Sequence, residues 1–494
     1  MPSRYPEQPN ILFLLADDQG AWAMGCAGNR ELRTPTLDRL AATGTRFENF
    51  FCTSPVCSPA RASILTGRIP SQHGVHDWIR AGNAKSGRDI GGRLIRYLDG
   101  QVGYPDILKG TGYVCGMSGK WHLGDSHHPQ MSFESWAVHA KGGGPYYNAP
   151  MIRDGEEYAE PRYVTDVITD NALRFLESQR DRENPFYLSV HYTAPHSPWG
   201  REHHPRDLYD AYRKHCRFES TPDLPPHPMH VKGNVPPDAG GRRDALSGYF
   251  AAVTAMDRNV GRIVDWLEKA DLRADTLIVF MSDNGMNMGH HGIWGKGNGT
   301  IPLNMYDTSV KVPCIVSRPG SVPEGKTCDE LLSQYDVMPT LLEYVGAPPC
   351  PEADTLPGRS FASLLRGKTA EGVGNVVVYD EYGPVRMIRS RDWKYVHRYP
   401  HGPFELYDLI NDPGEETNLA ARPEHACRVR DLHGQLDSWF RRYVDPDLDG
   451  SRLPVSGRGQ IDLAGRNART ARSFMEGIEY HDPDAAGRAL RTVL

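Results

Sequence analysis

The sequence predicts an α/β fold: a large doubly wound mixed sheet flanked by helices, followed by a smaller C-terminal α+β subdomain with a short antiparallel sheet. Apolar runs at residues 10–16, 186–190 and 276–281 have the length and composition of buried parallel strands. Helical periodicity is present between them, over residues 163–176 and 249–267. This alternation of strands and helices is typical of a sheet with helices on both faces.

A chain of 494 residues is too long for one compact core. We expect a large α/β domain over residues 1–370, an antiparallel-sheet subdomain over 371–449, and a tail over 450–494 to which the pattern assigns no role. The boundary near residue 370 is polar and glycine-rich, and three short strand patterns follow it. Their ranges are 375–379, 386–389 and 393–397.

Two long segments, 124–161 and 200–241, interrupt the alternation of strands and helices. Loops of this length are either disordered or functional. Both would emerge near the edge of the sheet where the polar strand ends lie. We therefore expect them to form walls of a substrate pocket.

Charge and cysteine usage exclude several classes of protein. The formal net charge is −6, so no basic field indicates a nucleic acid partner. The nine cysteines occur singly, without a C-x-x-C pair or a zinc spacing, which suits a reducing compartment. Neither a signal peptide nor a run of ~20 apolar residues is visible. We expect a cytoplasmic protein with no membrane partner, or an exported one if a leader was removed; an oligomer is left open.

Oxygen ligands follow two of the predicted strands. Asp17 and Asp18 end the first, and Asp283 and Asn284 come directly after the third. Each pair alone is typical of a turn. Together, at the carboxyl ends of strands in one sheet, they predict a metal site. Carboxylate and amide oxygens without sulfur or imidazole favour calcium, with magnesium second and zinc disfavoured.

A reactive side chain precedes a predicted helix in the segment 57–61, Cys-Ser-Pro-Ala-Arg. Pro59 suits a first helical turn and Ser58 suits the capping position, which would place Cys57 at the positive end of the helix. Arg61 follows one turn later on the same side. A nucleophile and a guanidinium above a helix N-terminus indicate a site for a tetrahedral oxyanion. Taken alone, the motif would be a buried cysteine before an ordinary helix.

Four further cationic or titratable residues lie next to glycines or at a strand end, where the backbone can approach a ligand closely. Lysine suits the oxygens of an oxyanion, and histidine suits proton transfer near neutral pH. These residues are Lys120, His122, His196 and Lys296.

The order of these motifs resembles the type I sulfatase family, in the alkaline-phosphatase-like superfamily. The similarity runs from Pro9 to about Leu419. It includes the segments 17–18, 57–67, 119–124, 195–196, 283–285, 295–296 and 405–409.

The resemblance implies a nucleophile, a metal site and a sulfate pocket. Cys57 would be oxidised to formylglycine by a dedicated maturation enzyme, and calcium would be bound. The implied metal ligands are Asp17, Asp18, Asp283, Asn284 and the modified Cys57. The implied sulfate pocket consists of Arg61, Lys120, His122, His196 and Lys296. His290 and His291, between the metal pair and Lys296, are candidate contacts to the leaving group.

The predicted function is hydrolysis of a sulfate monoester, with a sulfated sugar or oligosaccharide as the expected substrate. Aromatic and histidine side chains in the two long segments support a glycan. These are Tyr146, Tyr147, Trp199, His203 and His204. A phosphonate or phosphate ester hydrolase of the same superfamily is the alternative within enzymes, although Asn284 rather than histidine after Asp283 favours sulfate. A non-catalytic binder of sulfated ligands would follow if Cys57 is never oxidised.

Overall fold

The computed structural model describes residues 8–85, 93–231, 235–368, 378–469 and 472–476. Its largest element is a mixed sheet of ten strands. Across the sheet the order is Lys326–Cys328, Thr45–Phe47, Cys314–Ser317, Thr276–Ser282, Asn10–Asp17, Phe186–Pro195, Val114–Lys120, Ser135–His139, Ala149–Arg153 and Glu156–Glu160. The five strands from Thr276–Ser282 to Ser135–His139 run parallel.

The three predicted strands lie side by side at the centre of this sheet. Leu14 pairs in register with Val190 on one side and with Phe280 on the other. Leu12 and Leu14 share one apolar cluster with the long helix Ala239–Lys269, whereas Phe13 and Leu15 share the opposite cluster with the helix Cys57–Thr66. The central strands are buried along almost their whole length and are mainly apolar, because both faces of the sheet are covered. The predicted fold class is confirmed.

The helices agree with the predicted periodicity. The segment 163–176 forms Val164–Gln179, and 249–267 lies within Ala239–Lys269. The remaining α-helices of the described residues are Pro35–Ala42, Cys57–Thr66, Pro70–His73, Tyr104–Gly110, Arg206–His215, Asp307–Val310, Val337–Tyr344, Ala362–Leu365 and Ala426–Tyr443. Within the described ranges, none of the helices combines the length and apolar character needed to cross a membrane.

The two long segments contain more regular structure than expected. Three strands, beginning at Ser135, extend one edge of the large sheet within residues 124–161. The helix Arg206–His215 lies within residues 200–241. The last strand, Glu156–Glu160, is mostly exposed and acidic, since an edge strand needs no continuous apolar pattern. This is why the periodicity did not reveal it.

The C-terminal part forms a separate antiparallel sheet. Its strands are Val378–Tyr382, Val385–Arg389, Trp393–Arg398 and Glu405–Asp408, and the helix Ala426–Tyr443 packs on them. The strands predicted at 386–389 and 393–397 are confirmed. The proposed boundary near residue 370, and residues 375–377 of the first predicted strand, lie outside the described residues. The limits 370 and 449 therefore remain predictions.

Two short strand pairs and a buried ion cluster complete the fold. Phe50–Phe51 pairs with Leu332–Ser333, and Asn287–Met288 pairs with Trp294–Gly295. The cluster joins the C-terminal sheet to the large domain, because the Lys394 ammonium contacts Asp307 at 2.6 Å and also contacts Glu415.

Candidate active site

Three carboxylates meet at the carboxyl edge of the central strands. Asp17 ends the first strand, Asp18 follows it, and Asp283 follows the neighbouring strand, in which Ser282 pairs with Ala16. Parallel strands place their carboxyl ends at the same edge of a sheet. One oxygen from each carboxylate lies within 4.8 Å of the others, and all three side chains are buried. Asp18 has a φ of +65°, a strained conformation for a non-glycine residue that is common at functional sites.

The helix that carries Cys57 begins at this residue and not after it. Val56 has the extended conformation that precedes the helix, and Ser58 lies within the first turn. The prediction of Ser58 as the helix cap is therefore wrong. Its hydroxyl is used elsewhere: it donates to the carbonyl of His122 and accepts from the amide of Ile79, both at 2.9 Å. These bonds join the helix start to two other segments of the site.

The Cys57 thiol lies against the carboxylates, with Sγ 3.3 Å from Asp17 Oδ1 and 3.9 Å from Asp18 Oδ1. Burial, and then the negative charge of Asp17, raise the pKa of this thiol to about 12. A group with a raised pKa keeps its proton below that value. The unmodified thiol is therefore protonated at neutral pH and is a weak nucleophile.

Each carboxylate has a cationic partner. The Lys120 ammonium lies 2.5 Å from Asp17 Oδ2, and the Arg61 Nε lies 2.9 Å from Asp283 Oδ2. The Lys296 ammonium contacts Asp18 and is 2.7 Å from Cys57 Sγ. Burial is the largest single effect on the pKa of Asp283 and would raise it, but Arg61, Lys120 and Lys296 together outweigh burial and the pKa is lowered. Burial is also the largest effect on Lys296 and would lower its pKa, but Asp18 and the neighbouring negative groups together hold it well above its usual range.

The side-chain oxygen atoms at this edge of the sheet suit a cation that prefers oxygen ligands. The side-chain amide of Asn284 donates to Asp18 Oδ1 at 2.8 Å, whereas its own Oδ1 is buried and accepts no hydrogen bond from any described residue. A buried acceptor without a donor is costly unless a ligand satisfies it. Asp17, Asp18 and Asp283 form an acidic cluster that could bind a metal ion, and the Asn284 side chain lies beside it. Asp17, Cys57 and His196 form an overlapping group.

The two predicted catalytic histidines differ in their surroundings. His122 is buried, and its Nε2 lies 2.9 Å from the carbonyl oxygen of Ile79, so Nε2 carries the proton and Nδ1 has a free lone pair. Burial, and then Lys120 and Arg61, lower the pKa of His122 well below its usual value. His196 is 27% exposed; its Nδ1 bonds the Ser197 carbonyl and its Nε2 lies 3.6 Å from Asp18.

A cavity of about 640 Å³ opens onto this cluster, a size suited to a small ligand. Cys57, His122, His196 and Lys296 line it. Arg61 and Lys120 are not among its lining residues; they lie against the carboxylates. The structure thus brings all the predicted metal and sulfate-pocket residues together, while the role of each remains a prediction.

His290 and His291 lie outside the lining of this cavity. The ring of His290 packs against Trp22 at 4.9 Å, and His291 stacks on Tyr306 at 3.8 Å. Residue 291 has a φ of +55°, which turns the chain here. Contact of either histidine with a substrate remains a prediction that this arrangement does not favour.

Sequence reasoning missed most of the cavity wall. Trp78, Arg80 and Lys141 line the cavity, as do the glycines at 142 and 143. The run of one lysine and three glycines at 141–144 is a signal that could have been recognised. A Cβ on Gly142 would lie 2.0 Å from His122 Nε2, so only glycine allows this close approach. Residues 141–143 support the expected role of the segment 124–161. None of the described residues of 200–241 lines this cavity.

His191 is another site residue that was not predicted. Its Nε2 bonds the Ser189 hydroxyl at 2.7 Å, and its Nδ1 lies 3.1 Å from the Lys120 carbonyl and 3.3 Å from Arg61. Burial, and then the positive charge of Arg61, lower its pKa well below the usual value. A neutral His191 therefore contacts the Arg61 guanidinium and helps to hold it in position.

The C-terminal tail supports one of the segments that line the cavity. Gln460 is fully buried and pairs with Ile79 through backbone bonds to Trp78 and Arg80, at 2.8 and 2.9 Å. The Gln460 side chain accepts from the amide of His76 and donates to the carbonyl of Gly74. Since Ile79 bonds both Ser58 and His122, Gln460 supports the residues beside the nucleophile.

The fold, this site and the family comparison place the chain among the α/β enzymes of the alkaline-phosphatase-like superfamily. The model of the sulfatase family matches residues 9–347, and a model of the N-sulphoglucosamine sulphohydrolase C-terminal region matches residues 289–441. The chain belongs to the sulfatase family and is a sulfuric ester hydrolase, which confirms the predicted family and reaction.

Three known proteins illustrate the similarity. The N-acetylglucosamine-6-O-sulfatase of Bacteroides thetaiotaomicron is 28% identical over 90% of this chain and 88% of its own length. A protein solved in complex with its substrate D-glucosamine-2-N,6-O-disulfate is 25% identical, with a TM-score of 0.74 over 90% of this chain and 99% of that one. The phosphonate monoester hydrolase of Agrobacterium radiobacter shares the fold at 20% identity, with a TM-score of 0.66 over 89% of this chain and 96% of that one.

Replacing Gly142 by Ala should lower kcat for sulfate ester hydrolysis at least ~10-fold, because the new Cβ forces the His122 ring away from Ile79. Steady-state kinetics on nitrophenyl sulfate measures the effect. Gly143→Ala is the matched control, since a Cβ there would meet only ordinary contact, 3.5 Å from His196. A Gly142→Ala enzyme that turns over at the wild-type rate would contradict the role of the glycine.

Proposed function

We propose that this sulfatase hydrolyses sulfate monoesters of carbohydrates, using a formylglycine derived from Cys57 and a calcium ion. The observation that carries the proposal is the position of Cys57, at the start of a helix, in contact with two carboxylates and Lys296, on the lining of the cavity. A sugar as the leaving group is supported by the names of the relatives, one acting on N-acetylglucosamine 6-sulfate groups and one bound to a disulfated glucosamine.

The chemistry of sulfur explains why the cysteine is modified. A thiol that attacked sulfur would leave a covalent adduct without an easy exit. A hydrated formylglycine offers one hydroxyl as the nucleophile, which becomes sulfated, and a second hydroxyl whose deprotonation re-forms the aldehyde and expels the sulfate. The protonated state of the unmodified Cys57 agrees with this, because direct attack by the thiol is disfavoured.

The neighbouring side chains then have distinct tasks. Lys120 and Lys296 offset negative charge on the sulfuryl oxygens, and Arg61 holds Asp283 in place. His196, the more exposed histidine, holds the proton for the departing alcohol. His122 accepts a proton on its free Nδ1 from the remaining hydroxyl, so that the aldehyde reforms.

Calcium is the metal that this donor set fits best. Asp17, Asp18, Asp283 and Asn284 offer oxygen atoms of mixed carboxylate and amide type, which calcium accepts in flexible geometry. When bound, the ion would offset the carboxylate charge and lower the pKa of a nearby hydroxyl.

The partners follow from the same proposal. A formylglycine-generating enzyme has to act on Cys57, and only 2% of this residue is exposed in the folded chain. We place the protein in the cytoplasm, as its scattered cysteines suggest, and assign it no nucleic acid or membrane partner.

Two alternatives are distinguished by experiment. Phosphonate monoester hydrolases share the fold, so a phosphonate or phosphate ester is the second candidate substrate. The side chain after Asp283 is an amide, Asn284, and this favours sulfate. A non-catalytic binder of sulfated ligands would require that Cys57 stays unmodified.

The mass of the peptide that carries residue 57 should show the aldehyde in active protein. Cys57→Ser should then retain a nucleophile without the second hydroxyl, so that it completes about one turnover and stops. Burst kinetics on nitrophenyl sulfate measures this. Cys427→Ser, at an exposed cysteine, serves as the control and should keep full activity. Repeated turnover by Cys57→Ser, or an unmodified cysteine in active enzyme, would contradict the mechanism.

Side-by-side kinetics on nitrophenyl sulfate, nitrophenyl phosphate and a nitrophenyl phosphonate ester should give the highest kcat/KM for the sulfate, by ~100-fold or more. The amide of Asn284, which follows Asp283 where a histidine could stand, is the feature that favours sulfate over the two phosphorus esters. A phosphonate preference would instead select the alternative function.

Calcium should raise the thermal unfolding midpoint more than magnesium does at the same concentration. Binding at a hundred times Kd stabilises the folded state by about 2.7 kcal/mol. Asn284→Ala removes the buried free acceptor and should reduce this shift, whereas Asn411→Ala, on the exposed surface, should not. An equal shift for both metals would reject calcium as the preferred ion, and an undiminished shift in Asn284→Ala would reject the ligand assignment.

A further inference from the structure

The cavity is larger than a sulfate group needs, and its walls differ in charge from its floor. On the floor, three carboxylates are matched by Arg61, Lys120 and Lys296. On the walls, the lining residues include Arg80, Lys85 and Lys141, and none of the lining residues in the described part of the chain is an aspartate or glutamate. The walls therefore carry positive charge that the floor does not neutralise, in a chain whose net charge is −6.

Two of the wall cations have no counter-ion among the described residues. Lys85 forms an ion pair with Glu157. Arg80 has no carboxylate partner within the described ranges; its guanidinium lies 5.9 Å from the centre of the Trp78 ring. Lys141 likewise forms no ion pair there. An unpaired guanidinium and ammonium facing a ligand cavity are suited to bind an anion.

Both cations are attached to a firmly held backbone. The amide of Arg80 donates to Gln460 at 2.9 Å, and the Trp78 indole donates to the Gly457 carbonyl at 3.0 Å. Lys141 is held by His139, whose Nδ1 lies 2.9 Å from the Lys141 carbonyl. The backbone of both residues is therefore held in place, and both side chains line the cavity that Cys57 also lines.

We propose that Arg80 and Lys141 form a subsite for a second anionic group of the substrate, a carboxylate or a further sulfate, next to the scissile sulfate ester. This subsite rests on the proposed carbohydrate sulfatase function and refines it. The preferred substrate is a sugar that carries two anionic groups, and a singly sulfated neutral sugar is bound less well.

The test compares three compounds: N-acetylglucosamine 6-sulfate, glucosamine 2-N,6-O-disulfate, and a 6-sulfated glucosamine linked to a uronic acid. The measurement is kcat/KM, or Ki against nitrophenyl sulfate hydrolysis for a compound that turns over slowly. Wild-type enzyme should favour a doubly anionic compound. Arg80→Gln and Lys141→Gln should reduce that preference roughly 10- to 100-fold, mainly through KM, as expected for one charge-assisted hydrogen bond.

The controls separate the subsite from general charge effects. Lys214→Gln removes one exposed lysine outside the cavity lining and should leave the preference at the wild-type value. Arg80→Lys should restore part of it. If the Arg80→Gln and Lys141→Gln variants lose the preference for the disulfate only, the group bound at the subsite is a second sulfate. If they lose the preference for the uronate only, the group is a carboxylate.

Equal kcat/KM values for all three compounds in the wild type, or an unchanged preference in a variant that combines Arg80→Gln with Lys141→Gln, would overturn the subsite. Failure of the proposed function has a different signature. Matured wild-type enzyme would then hydrolyse no sulfate ester, nitrophenyl sulfate included, while titration calorimetry with the disulfate would still report whether Arg80 and Lys141 bind it.

Discussion

The arrangement of the site depends on the charge balance at the carboxyl edge of the central strands. Asp17, Asp18 and Asp283 are buried within a few ångströms of one another, a placement that is tolerable only because three cations lie against them. Removing any one cation would leave a carboxylate unpaired in a buried position. The helix start at Cys57, the strand end at Lys120 and the loop at Lys296 are therefore held in place by the same electrostatic requirement.

This balance also explains why the cationic residues do not all face the substrate. Arg61 is engaged with Asp283 and the Lys120 carbonyl, and His191 lies beneath it. Lys296 reaches both the carboxylates and the cavity. A divalent cation among the carboxylates would free some of this positive charge for the sulfuryl group.

The sequence predicted the central sheet and the floor of the site because both depend on local patterns. Apolar runs that end in Asp17 or Asp283 mark buried strands whose carboxyl ends face one edge, and the family motifs add Cys57 and the cations. The edge strand Glu156–Glu160 was not predicted. It pairs with a neighbour on one side only, so its sequence can be acidic and exposed and lacks the apolar pattern of a buried strand. His290 and His291 show that closeness in sequence to Asp283 does not place a side chain in the cavity.

The walls could not be predicted for a different reason. Trp78 and Arg80 lie in an irregular segment whose conformation is set by Gln460, near the other end of the chain. No periodicity connects these positions. This part of the cavity wall therefore depends on a long-range contact, whereas the nucleophile and its neighbouring cations lie in short motifs.

The contact with Gln460 also determines how early the site can fold while the chain is being synthesised. The wall that fixes Ile79, and with it His122 and Ser58, cannot form until residue 460 has left the ribosome. At ~5–20 residues per second, the interval after Cys57 is made is on the order of tens of seconds. During this time the thiol is not yet enclosed by its final surroundings. For the proposed maturation of Cys57, the late position of Gln460 would leave a period in which the modifying enzyme can reach the thiol.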